Sequence, residues 1–309
     1  MSKLTRRQIL AAAATAPLAA MASSRSADAA PLDYALGGQA PAAATPPPPK
    51  FTLACNIEIM FPRAMPHAER IDRIAAAGYK AFAFWGSQGK DIPAMMAAQQ
   101  RAGLACGSIT GTNATGWNTG LTSTGHEDAF QKDFLSAVET AKKFNCKNLV
   151  CFLGETQPNI PLDVQHTQIV EGLKRVGDLA AKNDVYFCLE PLNSVESPKM
   201  SVLSAKHGFK IVEDVNHPHV RLDFDMYHLQ LTEGNLINNL RRGLRNKLIR
   251  FVEVGDVPGR KEPGTGETNY ANIFKVLREE GFADVVGLEH GTSSTPEHAM
   301  QVVKTLANA

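Results

Sequence analysis

The chain has 309 residues, a formal net charge of +1, and 44% hydrophobic against 20% charged residues. A balance this near neutral, with no long run of one sign, leaves no electrostatic footprint for nucleic acid or an anionic membrane surface. The five cysteines (Cys55, Cys106, Cys146, Cys151, Cys188) are an odd number, lack CxxC spacing and sit mostly in apolar runs, which predicts buried small hydrophobes rather than a disulfide framework.

The N-terminal segment reads as an address. Arg6-Arg7 lead into an Ala-rich, weakly apolar stretch through Met21, and Ala27-Asp28-Ala29 offers a small-residue cleavage pattern. Residues 1–29 are therefore expected to be a twin-arginine signal peptide, too short and too rich in alanine for a stable membrane span. The partner this implies is the twin-arginine export machinery, and the destination is periplasmic or exported. Such a protein crosses already folded, so a metal could be loaded before export. Residues 30–50, with PLDYALGGQAPAAATPPPPK, have no periodicity and are expected to be a linker, extended where Pro46 to Pro49 cluster. The folded domain is expected over residues 51–309.

From Phe51 onward one unit recurs: helical stretch, Gly or Asn stop, short apolar strand, polar loop. FTLACNIEIMF comes first, followed by HAERIDRIAAAG–YKAFAFWG, IPAMMAAQQRAG–LACGSITG and FQKDFLSAVETAKKFNC–KNLVCFLG. Next are IVEGLKRVGDLAAKND–VYFCLEP, SAKHGFKIVEDVNHP–HVRLDFDMYH and NLINNLRRGLRN–KLIRFVEVGD. YANIFKVLREEG–FADVVGLEHG follows, and HAMQVVKTLAN closes the chain. Eight short apolar strands alternating with amphipathic helices predict an α/β fold, a single (β/α)₈ TIM barrel. No GxGxxG or GxxxxGK[ST] follows the first strand, which removes the main nucleotide-binding alternative.

Four of these strands deliver a carboxylate near the C-terminal end: Glu190, Asp225, Glu253 and Glu289 on strands five to eight. In such barrels catalytic groups come from these strand ends, and these four are neighbours around half the rim. Two carboxylates about 4 Å apart repel by roughly 4 kcal/mol at an effective dielectric of 20. Four at one mouth must therefore share protons or hold a cation. An all-oxygen set selects a hard divalent ion, Mn²⁺ or Mg²⁺. Such an ion can hold adjacent oxygens of a hydroxy-carbonyl substrate while two carboxylates move the proton α to the carbonyl. His228 follows Asp225 in DMYH, and Arg260 in GDVPGRKEPGTGE can clamp substrate oxygens; Asn193 and Glu196 lie close enough to Glu190 to line the same mouth. Asp223 reads as a structural residue, Trp85 and Phe84 as core or an apolar wall, and Glu58 and His67 carry no discriminating signal.

LEPLN, DFDMYHLQLTEGNL, VEVGDVPGRKEPGTGETNY and VGLEHG together resemble the hydroxypyruvate isomerase family of the xylose isomerase-like barrels, relatives of the sugar 3-epimerases. The resemblance implies a Mn²⁺ or Mg²⁺ ion held by Glu190, Asp225, Glu253 and Glu289, with Glu190 and Glu289 as the acid–base pair and His228 and Arg260 touching substrate. It also implies conversion of hydroxypyruvate to tartronate semialdehyde. Two positions depart from the family pattern: Glu253 stands where Gln or His is usual, and Ala83 where an acid is usual. The same metal and bases would also serve a sugar or keto-sugar epimerase, or a lyase acting on a 3-keto-glycoside, and an exported enzyme meets such sugars. A phosphodiesterase of the same fold would want several ligand histidines and a basic face, and neither is evident. A non-catalytic sugar-binding protein would keep its ligand without Glu289.

Overall fold

The computed structural model describes residues 48–309, so the expected signal peptide and nearly all of the linker lie outside the described residues. Eight strands close into a barrel in chain order: β1 Thr52–Asn56, β2 Ala81–Phe84, β3 Ala105–Thr110, β4 Asn148–Cys151, β5 Tyr186–Leu189, β6 Val220–Asp225, β7 Ile249–Val254 and β8 Val285–Leu288. Every neighbouring pair is parallel, including β1 with β8, so all C-terminal ends open on one face. The predicted (β/α)₈ barrel is the fold of the chain.

The surrounding helices are α1 His67–Ala76, α2 Ile92–Ala102, α3 Glu127–Phe144, α4 Leu162–Lys182 and α5 Ala205–Val215, followed by α6 Met226–Thr232, α7 Leu236–Arg245, α8 Tyr270–Glu279 and α9 Pro296–Asn308. Their starts follow local chemistry. The side chains of Asp91, Ser204, Asn269 and Thr295 each accept a backbone N–H from the first turn of α2, α5, α8 and α9. Their apolar faces bury phenylalanines such as Phe130, Phe134, Phe209 and Phe274 against the outer surface of the sheet. A smaller apolar group with Val150, Phe152, Cys188 and Phe251 fills the other layer.

Two local features differ from the sequence expectation, and both bear on the open face. FTLACNIEIMF stops as a strand at Asn56, because the Asn56 side-chain oxygen takes the Glu58 N–H at 2.8 Å and turns the chain. MYHLQLT, expected as a loop, is the helix α6: the Asp225 carboxylate accepts the Tyr227 N–H at 2.7 Å and caps it. All five cysteines are buried and free, as their surroundings predict.

Candidate active site

Glu190 and Glu289 each stand one residue beyond β5 and β8, Asp225 ends β6, and Glu253 lies in β7 beside Asp225 in the sheet register. The barrel thus gathers four acids at adjoining strand ends, all buried, at 5%, 7%, 1% and 2% exposure. Gly287 on β8 makes room for one of them: a Cβ there would come within 2.8 Å of Phe251 Cζ and 2.9 Å of the Glu253 carboxylate, so glycine leaves that space to the two β7 side chains.

Donors converge on Glu289. Trp85 Nε1 donates to Oε1 at 2.5 Å, Asn56 Nδ2 donates to the same oxygen at 3.1 Å, and Arg260 donates through Nη2 to Oε2. Arg260 Nη2 also reaches Asp225 Oδ2 at 3.1 Å, and its guanidinium lies 4.8 Å from the Tyr227 ring centre. Although burial works against the Arg260 charge, Glu289 and Asp225 more than restore it, and the group is held above its usual range. Glu190 has no such set of donors. Burial first, then the charges of Glu289, Asp223 and Asp225, pushes its carboxyl well above the ordinary carboxylate range. Burial also raises Asp225, although Arg260 and the N–H groups at the start of α6 pull it back.

His228 is oriented by a chain of hydrogen bonds. Asn193 Oδ1 accepts the N–H groups of Val195 (3.0 Å) and Glu196 (2.7 Å), which fixes which end of the amide is oxygen. Its Nδ2 therefore donates, to Glu196 Oε2 at 2.9 Å and to His228 Nδ1 at 2.7 Å. With Nδ1 accepting, the ring carries its hydrogen on Nε2, 3.4 Å from Glu190 Oε1 and 3.5 Å from Asp225 Oδ2. Burial and the Arg260 charge lower the His228 pKa to about 3, so the ring is neutral. Glu190, Asp225, His228 and Glu289 each offer one ligand atom, all within 4.8 Å of one another, and the group could hold a metal. In this tautomer His228 meets that group as an N–H donor rather than a lone pair, leaving the carboxylates as the ligands. Tyr227 completes the network, its hydroxyl donating to Glu196 Oε1 at 2.6 Å while burial and that carboxylate push its pKa up to about 12.

Glu253 occupies a different place from the one its sequence position suggests. Its carboxylate groups with Glu190 and Asp223, one step deeper in the barrel, rather than with Asp225 and Glu289. Asp223, read as structural, lies within hydrogen-bond reach of the Glu253 carboxyl, and neither of its oxygens has any other hydrogen-bond partner.

Above these acids lies a cavity of about 270 Å³. Arg260, His228 and Glu196 line it, with Trp85 and Trp117 from the opposite half of the rim, 42% and 44% exposed. Phe84 instead packs in the core, 5.0 Å from the Phe144 ring. Glu58 holds the Trp85 backbone N–H at 3.0 Å and Lys90 Nζ at 3.1 Å, and His67 stands 3.9 Å from it, so these residues support the rim. Sequence reasoning missed Asn56 and Trp85 as partners of Glu289; the available signal was their position at the C-terminal ends of β1 and β2. The nearly neutral residues Ser108, Thr110 and Asn113 gave none, although they line the cavity.

Comparison with known proteins agrees with this fold. The family model described as "Xylose isomerase-like TIM barrel" matches residues 71–308. Hydroxypyruvate isomerase from Escherichia coli is 28% identical over 177 residues, covering 57% of this chain and 68% of that protein. The 2-oxo-tetronate isomerase of Pectobacterium atrosepticum is 24% identical over 256 residues, covering 82% and 95%. Among solved structures, an AP endonuclease of family 2 from Brucella melitensis superposes with a TM-score of 0.74 at 23% identity, over 82% of this chain and 98% of that one. The 3-keto-D-glucoside 4-epimerase of E. coli gives 0.69 at 18% identity, over 84% and 100%. These structural likenesses show the fold, and the sequence relatives are isomerases. The chain belongs to the xylose isomerase-like TIM barrel family, as an enzyme of the aldose–ketose isomerase type.

Proposed function

We propose that the chain is a metal-dependent isomerase that moves a proton between adjacent carbons of a small hydroxy-carbonyl compound, with hydroxypyruvate as the first substrate to test. The single observation that carries the reading is the unequal setting of two glutamates on one cavity. Three donors surround Glu289, whereas burial and like charges keep Glu190 ready to hold a proton. Environments that drive paired carboxyls apart are what assign base and acid.

Glu289 takes the proton from the hydroxyl-bearing carbon, which leaves an enediolate. Glu190 delivers a proton to the former carbonyl carbon, while the hydroxyl proton passes from the oxygen that becomes the carbonyl to the one that becomes the hydroxyl. Proton exchange with solvent returns both glutamates to their starting states. For hydroxypyruvate the product is tartronate semialdehyde, and no atoms are gained or lost. His228 donates from Nε2 to a substrate oxygen, and Arg260 holds another oxygen while keeping Glu289 and Asp225 aligned. Glu196 and Asn193 do not need to touch substrate; they hold His228 in its donor form. Glu190, Asp225 and Glu289 are the residues that would hold a divalent ion, and their hard oxygens suit Mn²⁺ or Mg²⁺. When bound, that ion supplies Lewis acidity toward the two adjacent substrate oxygens.

A second reading has an observation of its own. The cavity, with Trp85 and Trp117 at its mouth, is larger than a triose-sized acid fills. That favours a keto-sugar, and the same proton transfer would then be an epimerisation, or the first step of a 3-keto-glycoside lyase. One experiment serves both. The protein is incubated in D₂O with Mn²⁺ and with hydroxypyruvate or keto-sugars, and proton NMR follows loss of the α-proton signal. Exchange that disappears with EDTA and falls at least about 100-fold in Glu289→Gln is the expected outcome, within the range typical of a general base. The product identifies the substrate reading. Exchange that persists undiminished in Glu289→Gln would sink the assignment.

A further inference from the structure

Trp117 lines the cavity and is 44% exposed, yet nothing about its backbone is loose. It ends a single turn of 3₁₀ helix, Thr115–Trp117, whose start is held by Asp133 of α3. One Asp133 oxygen accepts the N–H groups of Ala114 (3.0 Å) and Thr115 (2.9 Å) and the Thr115 hydroxyl (2.8 Å). Beyond Trp117 the chain is fastened to the loop that follows β4: Leu153 O accepts the Leu121 N–H at 2.8 Å, and Asn118 O accepts the Glu155 N–H at 2.5 Å. Gly120 and Gly154, at φ of 54° and 102°, sit where the two backbones touch, and a Cβ on either would collide with a carbonyl of the other loop. Phe152 backs the indole, 4.4 Å away between ring centres. A large apolar ring held this firmly at the edge of a cavity is already ordered for a ligand, which then loses less on binding.

The charges around the cavity say which kind of ligand. Among the described residues that line it, Arg260 is the one Lys or Arg, and Asp225 and Glu289 engage it. Lys90, near Trp85, is held by Glu58. Glu196 stands on the cavity wall; although burial works against its charge, hydrogen bonds from Tyr227 and Asn193 hold its carboxyl below the usual range. A divalent ion and Arg260 together balance Glu190, Asp225 and Glu289, which leaves the Glu196 charge over. Ser108 and Thr110, on the strand that leads to Trp117, add only uncharged hydroxyls. Away from the reacting carbons, therefore, this cavity offers hydroxyl groups many acceptors and a second anion no partner.

We propose, resting on the proton transfer proposed above, that Trp117 is the platform for a neutral sugar ring. The substrate is a keto-sugar in ring form, with one C–H face laid on the indole and its carbonyl side toward Glu190 and Glu289. The C–H groups carry partial positive charge and meet the negative face of the indole. The ring hydroxyls donate to the wall carboxylate and pair with Ser108 and Thr110. A ring of the same shape that carries a carboxylate is turned away, because Glu196 repels it and no free cation compensates.

Methyl glycopyranosides of glucose, galactose and mannose have no free carbonyl, so they test the platform apart from the proton transfer. The chain has two tryptophans, and its indole N–H spectrum in saturating Mg²⁺ should show two signals, which Trp117→Phe assigns. At least one glycoside is expected to shift the Trp117 signal and to show nuclear Overhauser contacts between its ring C–H protons and that indole, which a merely structural role for Trp117 would not produce. The matching methyl uronate should bind at least about tenfold more weakly. Trp117→Ala should weaken the glycoside by about tenfold, and Trp117→Phe, which keeps a flat ring, by less. No glycoside at Trp117, or a uronate that binds as tightly, overturns the platform. Exchange of α-protons in D₂O with no glycoside at Trp117 overturns the platform alone. A glycoside at Trp117 with no exchange from any carbonyl compound indicts only the earlier reading. Should Trp117→Ala fail to fold, the wild-type contacts and the uronate comparison still decide.

Discussion

Asn193 shows how one side chain can set the chemistry of another. Its oxygen is committed to two backbone N–H groups, so its nitrogen must donate, and His228 Nδ1 must accept. Replacing it with Asp keeps the shape and the oxygen that holds the loop but removes the donor. His228 would then place its hydrogen on Nδ1 to meet the new carboxylate, and Nε2 would lose the hydrogen it offers to substrate. Asn193→Asp should therefore lower kcat by roughly 10–100-fold, the usual cost of losing a partner that orients a site residue. Long-range ¹⁵N–¹H spectra of the imidazole would show the exchanged tautomer, a change that a merely structural role for Asn193 would not produce. Wild-type kcat together with an unaltered His228 tautomer would remove Asn193 from the mechanism. The sequence placed Asn193 at the mouth because it follows Glu190 closely. It could not reveal the tautomer, which depends on a contact between residues 35 positions apart.

At the scale of an element, the stretch between β7 and α8 is built around Asp256. This fully buried residue accepts N–H groups from Val257, Gly264, Gly266 and Thr268, at 2.9, 2.8, 2.9 and 3.1 Å. The same loop presents Arg260, held at a φ of 49°, a conformation most side chains avoid. Asp256→Ala leaves those N–H groups without their shared acceptor. Each buried unsatisfied group costs about 1–3 kcal/mol, and with partial rescue by water the variant should lose about 3 kcal/mol in denaturant unfolding. Arg260 should lose its aim as well, so KM should rise more than kcat falls. A variant with wild-type stability and KM would show that the loop holds itself. The eight strands were legible because each unit repeats a period change from helix to strand, and the four acids because each lies within one residue of such a strand's C-terminal end. Asp256 was not, since an acid two residues past a strand looks like any solvated loop residue. Helix α6 was hidden for a related reason: MYHLQLT is too short for its periodicity to declare a helix, and its cap, Asp225, looked only like a ligand. Asp223 shares a strand face with Asp225, and alternation alone could not say that it would meet only another carboxyl, that of Glu253.

For the whole molecule, closing the barrel concentrates acids at the ends of β5 to β8, and stability should register this as a dependence on pH and metal. Burial and mutual repulsion raise Glu190, Asp223, Asp225 and Glu253 in the folded state. A raised acid contributes stability that is fully present below its unfolded value of about 4 and is lost as pH rises through the folded value. Two buried histidines act in the opposite sense. His228 and His290 are lowered to about 3 and about 4, so their contribution is present above the unfolded value and lost as pH falls. By pH 7 both are neutral in the folded state and largely so in the unfolded chain, whose histidines titrate near about 6.5. The buried thiols, raised by the same desolvation, remain protonated in both states until the unfolded chain nears about pH 8.5. Once the unfolded histidines are neutral, the raised carboxyls thus dominate the balance, and metal-free protein should lose stability as pH rises, at up to about 1.4 kcal/mol per pH unit for each proton retained on folding. A divalent ion takes the place of those protons, and because it competes with them it binds more tightly as pH rises. Thermal unfolding at pH 7.0, 7.5 and 8.0 should give a Tm that falls in EDTA and holds in saturating Mn²⁺, so that the gap widens. Asp223→Asn should flatten the EDTA series, since it removes one of the raised acids without adding a charge. A Tm in EDTA that stays level or rises over this range would mean that the acids are ionised and compensated without metal, and the electrostatic account of the barrel mouth would fail with it.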